Sequence, residues 1–234
     1  PVAAQWLIFS GNPEKNELVR EVSFEGIEFS HQNWITPQTG IHAGQAEQNL
    51  PFPAVEARGA YELRFTRCAF THTSTHAAWL RAGCSNARFE ECLFRDLGAG
   101  GVYIGDPAVN KDGPLHTHHV SIENSILREG GRHFPAGIGV VLFHASDSTV
   151  RHCDIGDFFY SAISIGWTWG YKPTVASRNL VEFCHLHHLG WGLLSDMGAV
   201  YTLGAQLGTV IRNNHMHDIS CASYGGWGMY NDEG

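Results

Sequence analysis

The sequence predicts an all-β fold of the right-handed parallel β-helix type, and three observations lead there. A six-position pattern (apolar, two variable, small or Cys/Asn, one variable, apolar) recurs seven times. A turn rich in Gly, Asp and His follows most copies, and then a second short apolar strand. Glycine is abundant at 27 of 234 residues and charged residues sparse at 16%, which suits many tight turns better than a helical bundle.

The copies read FEGIEF (24–29), FTRCAF (65–70), FEECLF (89–94), IENSIL (122–127), VRHCDI (150–155), VEFCHL (181–186) and IRNNHM (211–216). Their starts lie 24 to 41 residues apart. Each is too short for a helix and alternates as a half-buried strand does. The second strands are GVYIG (101–105), GVVLF (139–143), AISIG (162–166), GLLSD (192–196) and GMYND (228–232). Strands recurring at this period stack in parallel, so the chain reads as about seven coils of one solenoid domain over 1–234. The right hand follows from the strong preference of parallel crossovers. Cys68, Cys92, Cys153 and Cys184 share the fourth position and form an inward column of free thiols, small apolar fillers; Cys84 and Cys221 fall in turns.

The formal net charge is −8, with only 15 Lys and Arg and no basic cluster, which excludes a nucleic-acid partner. No apolar run approaches the roughly 18 residues of a membrane span. The chain reads as an internal piece of a longer protein that is secreted or periplasmic; its oligomeric state is open.

The phrase GWGLLSDMG (190–198) returns as GWGMYNDEG (226–234). Aligning the two puts Asp196 and Asp232 at one position on adjacent coils, equivalent to Gly105, Phe143 and Gly166. Leu193/Met229 and Ser195/Asn231 then face the core, and Asp196/Asp232 face out. Two carboxylates about 5 Å apart favour one neutral and one ionised form, the pairing a retaining glycosidase uses. A second register, pairing AVYTL (199–203) with GMYND, matches less well and separates the aspartates. Glu233 is a further candidate acid, and Asp106 a weaker neighbour.

Trp167, Trp169, Tyr171, Trp191, Tyr201, Tyr224, Trp227 and Tyr230 crowd the same coils, and exposed aromatic faces suit sugar rings. His185 and His187 align with His215 and His217, and Asp154 continues the first column. These read as a stacked, water-exposed ladder; no metal or cofactor is assigned.

Through ISIGWTWGYKP, LSDMGAVYTLG and YGGWGMYNDEG the chain resembles glycoside hydrolase family 141, with family 120 more distant. The resemblance implies hydrolysis of plant cell-wall glycans, fucosylated pectin or xylan. It carries the catalytic carboxylates to Asp196 and to Asp232 or Glu233. Ala199 and Asn231 depart from the family pattern, where a second glycine and a threonine are usual. The expected function is therefore a glycoside hydrolase, with Trp167, Trp169, Tyr201 and Trp227 shaping sugar subsites and His133, Asp106 and Tyr230 binding hydroxyls. One rival is a polysaccharide lyase, although Lys15, Lys111 and Lys172 all lie off the strand grid. The other is a non-catalytic carbohydrate-binding solenoid.

Overall fold

The computed structural model describes residues 3–233. Three parallel sheets run the length of the molecule, of seven, seven and eight strands. The first sheet runs from Ser23–Glu25 to Val210–Arg212, the second from Glu28–Ser30 to His215–Ile219. The third runs from Leu7–Ser10 to Trp227–Asp232. Each coil passes once through each sheet, which makes seven coils and one additional leading strand.

All seven hexads fall in register. Their first apolar residues stack as Phe24, Phe65, Phe89, Ile122, Val150, Val181 and Ile211. Their last stack as Phe29, Phe70, Phe94, Leu127, Ile155, Leu186 and Met216. The phenylalanines lie nearly parallel from coil to coil, with ring centroids 4.8–5.3 Å apart. Cys68, Cys92, Cys153 and Cys184 are buried free thiols, as is Cys84.

The corner inside each hexad has a physical cause that composition hides. Its third residue adopts positive φ in every coil: Gly26, Arg67, Glu91, Asn124, His152, Phe183 and Asn213, at 49–65°. Five residues earlier and five later the same conformation recurs, for example at Asn86 and Asp96 around Glu91. A left-handed residue costs an L-amino acid roughly 1–2 kcal/mol, so the ladders and core on either side must hold each bend.

The third sheet departs from the sequence reading at one coil. Its seventh strand is Gly198–Leu203, not GLLSD. Gly198 to Leu203 are buried, whereas Leu193 is 51% exposed in a turn. Val200 and Thr202 continue the columns of Ile163 and Ile165. A strand carrying Val, Tyr and Thr fits a pleated, half-buried surface better than Leu-Leu-Ser. GWGLLSD becomes a loop, with positive φ at Gly190, Trp191, Gly192 and Asp196.

Candidate functional site

The discounted register is thus the one the protein adopts. Tyr201 pairs with Tyr230, Thr202 with Asn231, and Leu203 with Asp232. Asp196 and Asp232 are not rung neighbours, and the 5 Å spacing expected from stacking does not apply to them. Gly105, Phe143 and Gly166 remain the equivalents of Asp232, two positions beyond Tyr103, Val141 and Ser164. Met229 and Asn231 lie in the inward columns of Val200 and Thr202 as expected, but Leu193 and Ser195 do not.

A different route brings the two aspartates to one place. Asp232 stands on the outer face at the end of its strand and accepts a hydrogen bond from the Tyr201 hydroxyl. Asp196 stands on the exposed loop before Gly198–Leu203. Its N–H donates to Tyr224 O (2.5 Å), and its carbonyl accepts from the buried Tyr160 hydroxyl (2.8 Å). The Asp196 carboxylate lies near enough to the Tyr230 hydroxyl for its charge to hold that phenol protonated, and Tyr201 and Tyr230 meet edge to face at 4.8 Å. Two carboxylates therefore converge on one tyrosine pair.

Burial pushes the Tyr160 phenol up to about 12, and the negative charges of Asp196 and Asp232 add to it. Burial also raises Tyr201, reinforced by its hydrogen bond to Asp232. Tyr230 is raised by desolvation, then by Tyr224 and Asp196. All three phenols stay protonated donors at neutral pH.

Tyr224, Trp227 and Tyr230 pack edge to face, with 4.9 Å and 4.7 Å between successive centroids. Tyr224 and Trp227 are exposed. Glu233 is turned away from the tyrosines: its Oε2 accepts the Gly170 N–H at 2.6 Å. That bond ties the strand end to the loop carrying Trp167 and Trp169. Trp169 is exposed, while Trp167 is half-buried against Phe143 (4.9 Å). Asn110 bonds Thr168 and Pro173 of this loop, which brings the segment after Asp106 alongside. Asp106 itself accepts the Ala108 N–H, and His133 is held by its backbone on Gly98. Among the described residues, neither side chain hydrogen-bonds to either aspartate. Tyr160, and Gln45, whose side chain favours ionisation of that phenol against the effect of burial, were not anticipated. Gln45 comes from a distant loop, and no local pattern marks it.

On the second sheet, His185 pairs with His215 and His187 with His217, and Asp154 precedes His185, as the sequence predicts. The ladder is not uniformly wet, because His187 is 4% exposed.

The family model of the right handed beta helix region matches residues 53–232. The chain belongs to this family. Among solved structures, this right-handed β-helix is similar to a glycoside hydrolase at 19% identity and TM-score 0.76. The match covers 99% of this chain and 50% of that one, so the chain spans about half the length of that structure. An alginate lyase from Paenibacillus sp. strain FPU-7 matches at 10% identity and TM-score 0.42, over 96% of this chain and 79% of that one. No curated protein matches the chain.

Proposed function

We propose that the protein is a carbohydrate-active β-helix, a glycoside hydrolase acting on plant cell-wall polysaccharide or oligosaccharide. The observation that carries this reading is the convergence of Asp196 and Asp232 on Tyr201 and Tyr230 beside exposed aromatic rings. Glycoside cleavage needs one carboxyl to protonate the leaving oxygen and another to attack or to activate water. Asp232 already accepts a tyrosine hydroxyl at a strand end, which fixes its direction, so it takes the anionic role. Asp196, on an exposed loop, takes the role of acid. Trp227, Tyr224 and Trp169 offer faces for sugar rings, and Tyr230 a hydroxyl-binding group. Glu233 serves as a tether for the tryptophan loop. The fold shared with a glycoside hydrolase is compatible with this chemistry but does not select it.

The test is reducing-sugar release from pectin, xylan and fucosylated oligosaccharides by the full protein and by Asp196→Asn, Asp232→Asn and Glu233→Gln. Activity should fall at least about a hundredfold in each aspartate variant, a usual floor for lost acid–base catalysis. Glu233→Gln should retain most of it. Equal activity in all forms would make the aspartates structural. Glycan binding with no sugar release from any form would instead mark a binding solenoid.

A further inference from the structure

The outer face of the second sheet carries a group that the carboxylate site does not use. His185 and His187 lie two residues apart on one strand, so both project to the same side. His217 pairs with His187 from the next coil. The ligating atoms of these three histidines all lie within 4.8 Å of one another.

The hydrogen bonds around them assign the tautomers. His185 Nδ1 faces Asp154 Oδ2 at 3.2 Å, and His217 Nδ1 faces Asp218 Oδ2 at 2.7 Å. A carboxylate only accepts, so each Nδ1 carries its proton and each Nε2 presents a lone pair. His187 Nδ1 is paired with His188 Nδ1 at 2.5 Å, which completes the set. His187 stacks on both other rings, with centroids 4.0 Å from His185 and 5.3 Å from His217, which gathers one nitrogen of each ring into a single cluster. His185 Nε2 and His217 Nε2 approach to 2.7 Å. With both Nδ1 atoms protonated and both rings neutral, that approach opposes two lone pairs, which a shared proton or a metal ion relieves. His187 Nε2 is buried with no hydrogen-bond partner among the described residues. Asp154 Oδ1 lies 3.4 Å from it, without the geometry of a bond. A buried polar atom left in this state costs on the order of 1–3 kcal/mol.

The backbone makes room for this ring. Gly156 pairs with His187, and a Cβ at Gly156 would lie 3.0 Å from His187 Cε1 and 3.2 Å from Nδ1. Any larger residue there would crowd the imidazole.

We propose that His185, His187 and His217 bind one divalent transition-metal ion through their Nε2 atoms, and that the ion clamps the last two coils together. Three imidazoles suit zinc and its neighbours such as cobalt, nickel and copper rather than calcium or magnesium. Asp154 and Asp218, each receiving the second N–H of a ligand, supply the outer hydrogen bonds that such sites use to orient their rings. Metal–nitrogen bonds of about 2.0–2.1 Å in a tetrahedron set nitrogens about 3.3 Å apart. Binding therefore opens the 2.7 Å approach by about half an ångström. His185 and His217 are partly exposed, which leaves the fourth position to solvent.

The experiment titrates the chelator-treated full chain with Co²⁺ and Zn²⁺, following visible absorption, calorimetry and thermal melting. The expected result is one ion per chain, the intense visible absorption of four-coordinate cobalt, and a higher Tm with Zn²⁺. His187→Ala and His217→Ala should weaken binding at least about a hundredfold, since even supporting residues at such sites change affinity ten- to a hundredfold. His215→Ala should leave it intact, because His215 stacks on His185 but lies outside the trio. Far-UV circular dichroism checks folding, and the partly exposed His217→Gln carries the test should His187→Ala unfold. Stoichiometric binding that survives in both His187→Ala and His217→Gln, or no binding by the parent chain, overturns the proposal.

Discussion

One column on the outer face of the third sheet runs, after Ile8 and Glu56, through Trp79, Tyr103, Val141, Ser164, Tyr201 and Tyr230, and the two ends of this six-residue stretch behave differently. At the early end, the loop bearing Ala46, Glu47 and Leu50 is buried with the column, and Trp79 and Tyr103 are fully buried. Each polar tip there is satisfied by protein. Trp79 Nε1 donates to Gly105 O (2.8 Å), and Tyr103 donates to Ala46 O (2.6 Å) and accepts from Ile138 N (3.2 Å). At the late end Tyr201 is still buried, which removes its ring face from the expected sugar subsite, Tyr230 is half-buried, and the two hydroxyls lie beside carboxylates instead of backbone. The same outward register thus builds a second core layer where a loop seals it and a candidate site where its last ring, Tyr230, stays partly open. Coverage, not strand sequence, separates scaffold from chemistry here.

Breaking the sealed end should be the costlier change. Trp79→Ala is expected to destabilise the protein by about 3–5 kcal/mol, the usual cost of emptying a buried aromatic site, as measured by urea denaturation. Trp227→Ala, at the open end, should cost far less in the same experiment.

Acid should sharpen the contrast. His76 lies against Tyr103 with ring centroids 4.1 Å apart, and burial holds its pKa down to about 3. The unfolded chain takes up a proton near pH 6.5 that the folded one refuses, so stability falls as pH drops from about 6.5 toward 3. The loss is at most about 1.4 kcal/mol per pH unit for this one group. Burial lowers His116, His118 and His144 too, which adds to the loss. Glu47 opposes it, because burial raises its carboxyl and favours the protonated folded form. Four histidines outweigh one carboxyl, so Tm should decline steadily from pH 7 to pH 4; a flat profile would mean that water reaches His76.

The smallest and most discriminating comparison is Tyr103→Phe against Tyr201→Phe. The first strands Ala46 O and Ile138 N in a dry site and should cost about 1–3 kcal/mol. The second leaves Asp232 partly accessible to water, so stability should change by less than about 1 kcal/mol. Activity on glycans should nevertheless fall about ten- to a hundredfold as the carboxylate loses its positioning partner. Equal stability losses in the two variants would remove the distinction between the ends.

The solenoid was legible because its apolar pairs flank a corner at constant spacing, and stacking repeats that spacing in every coil. The corners themselves were not, since Arg67, Asn124, His152 and Phe183 share a backbone conformation and little chemistry. The GWG identity between residues 190 and 226 was a false guide. The three GWG residues mark a loop in one copy and lead into a strand in the other, whereas Val200, Tyr201 and Thr202 carried the better strand signal. Outward placement of Asp232 followed from alternation alone. Its meeting with Asp196 did not, because loop geometry and the Tyr160 anchor bring them together.

The thiol column has a practical consequence. Burial pushes Cys92 up to about 11 and Cys84 up to about 12. At neutral pH only about one Cys92 in ten thousand is a thiolate, the form that alkylating reagents attack. All four thiols of the column are buried from reagent, so labelling must wait for a coil to open. Cys68, Cys92, Cys153 and Cys184 lie on different coils, so their separate modification rates time the opening of the solenoid segment by segment, with no probe added to the chain.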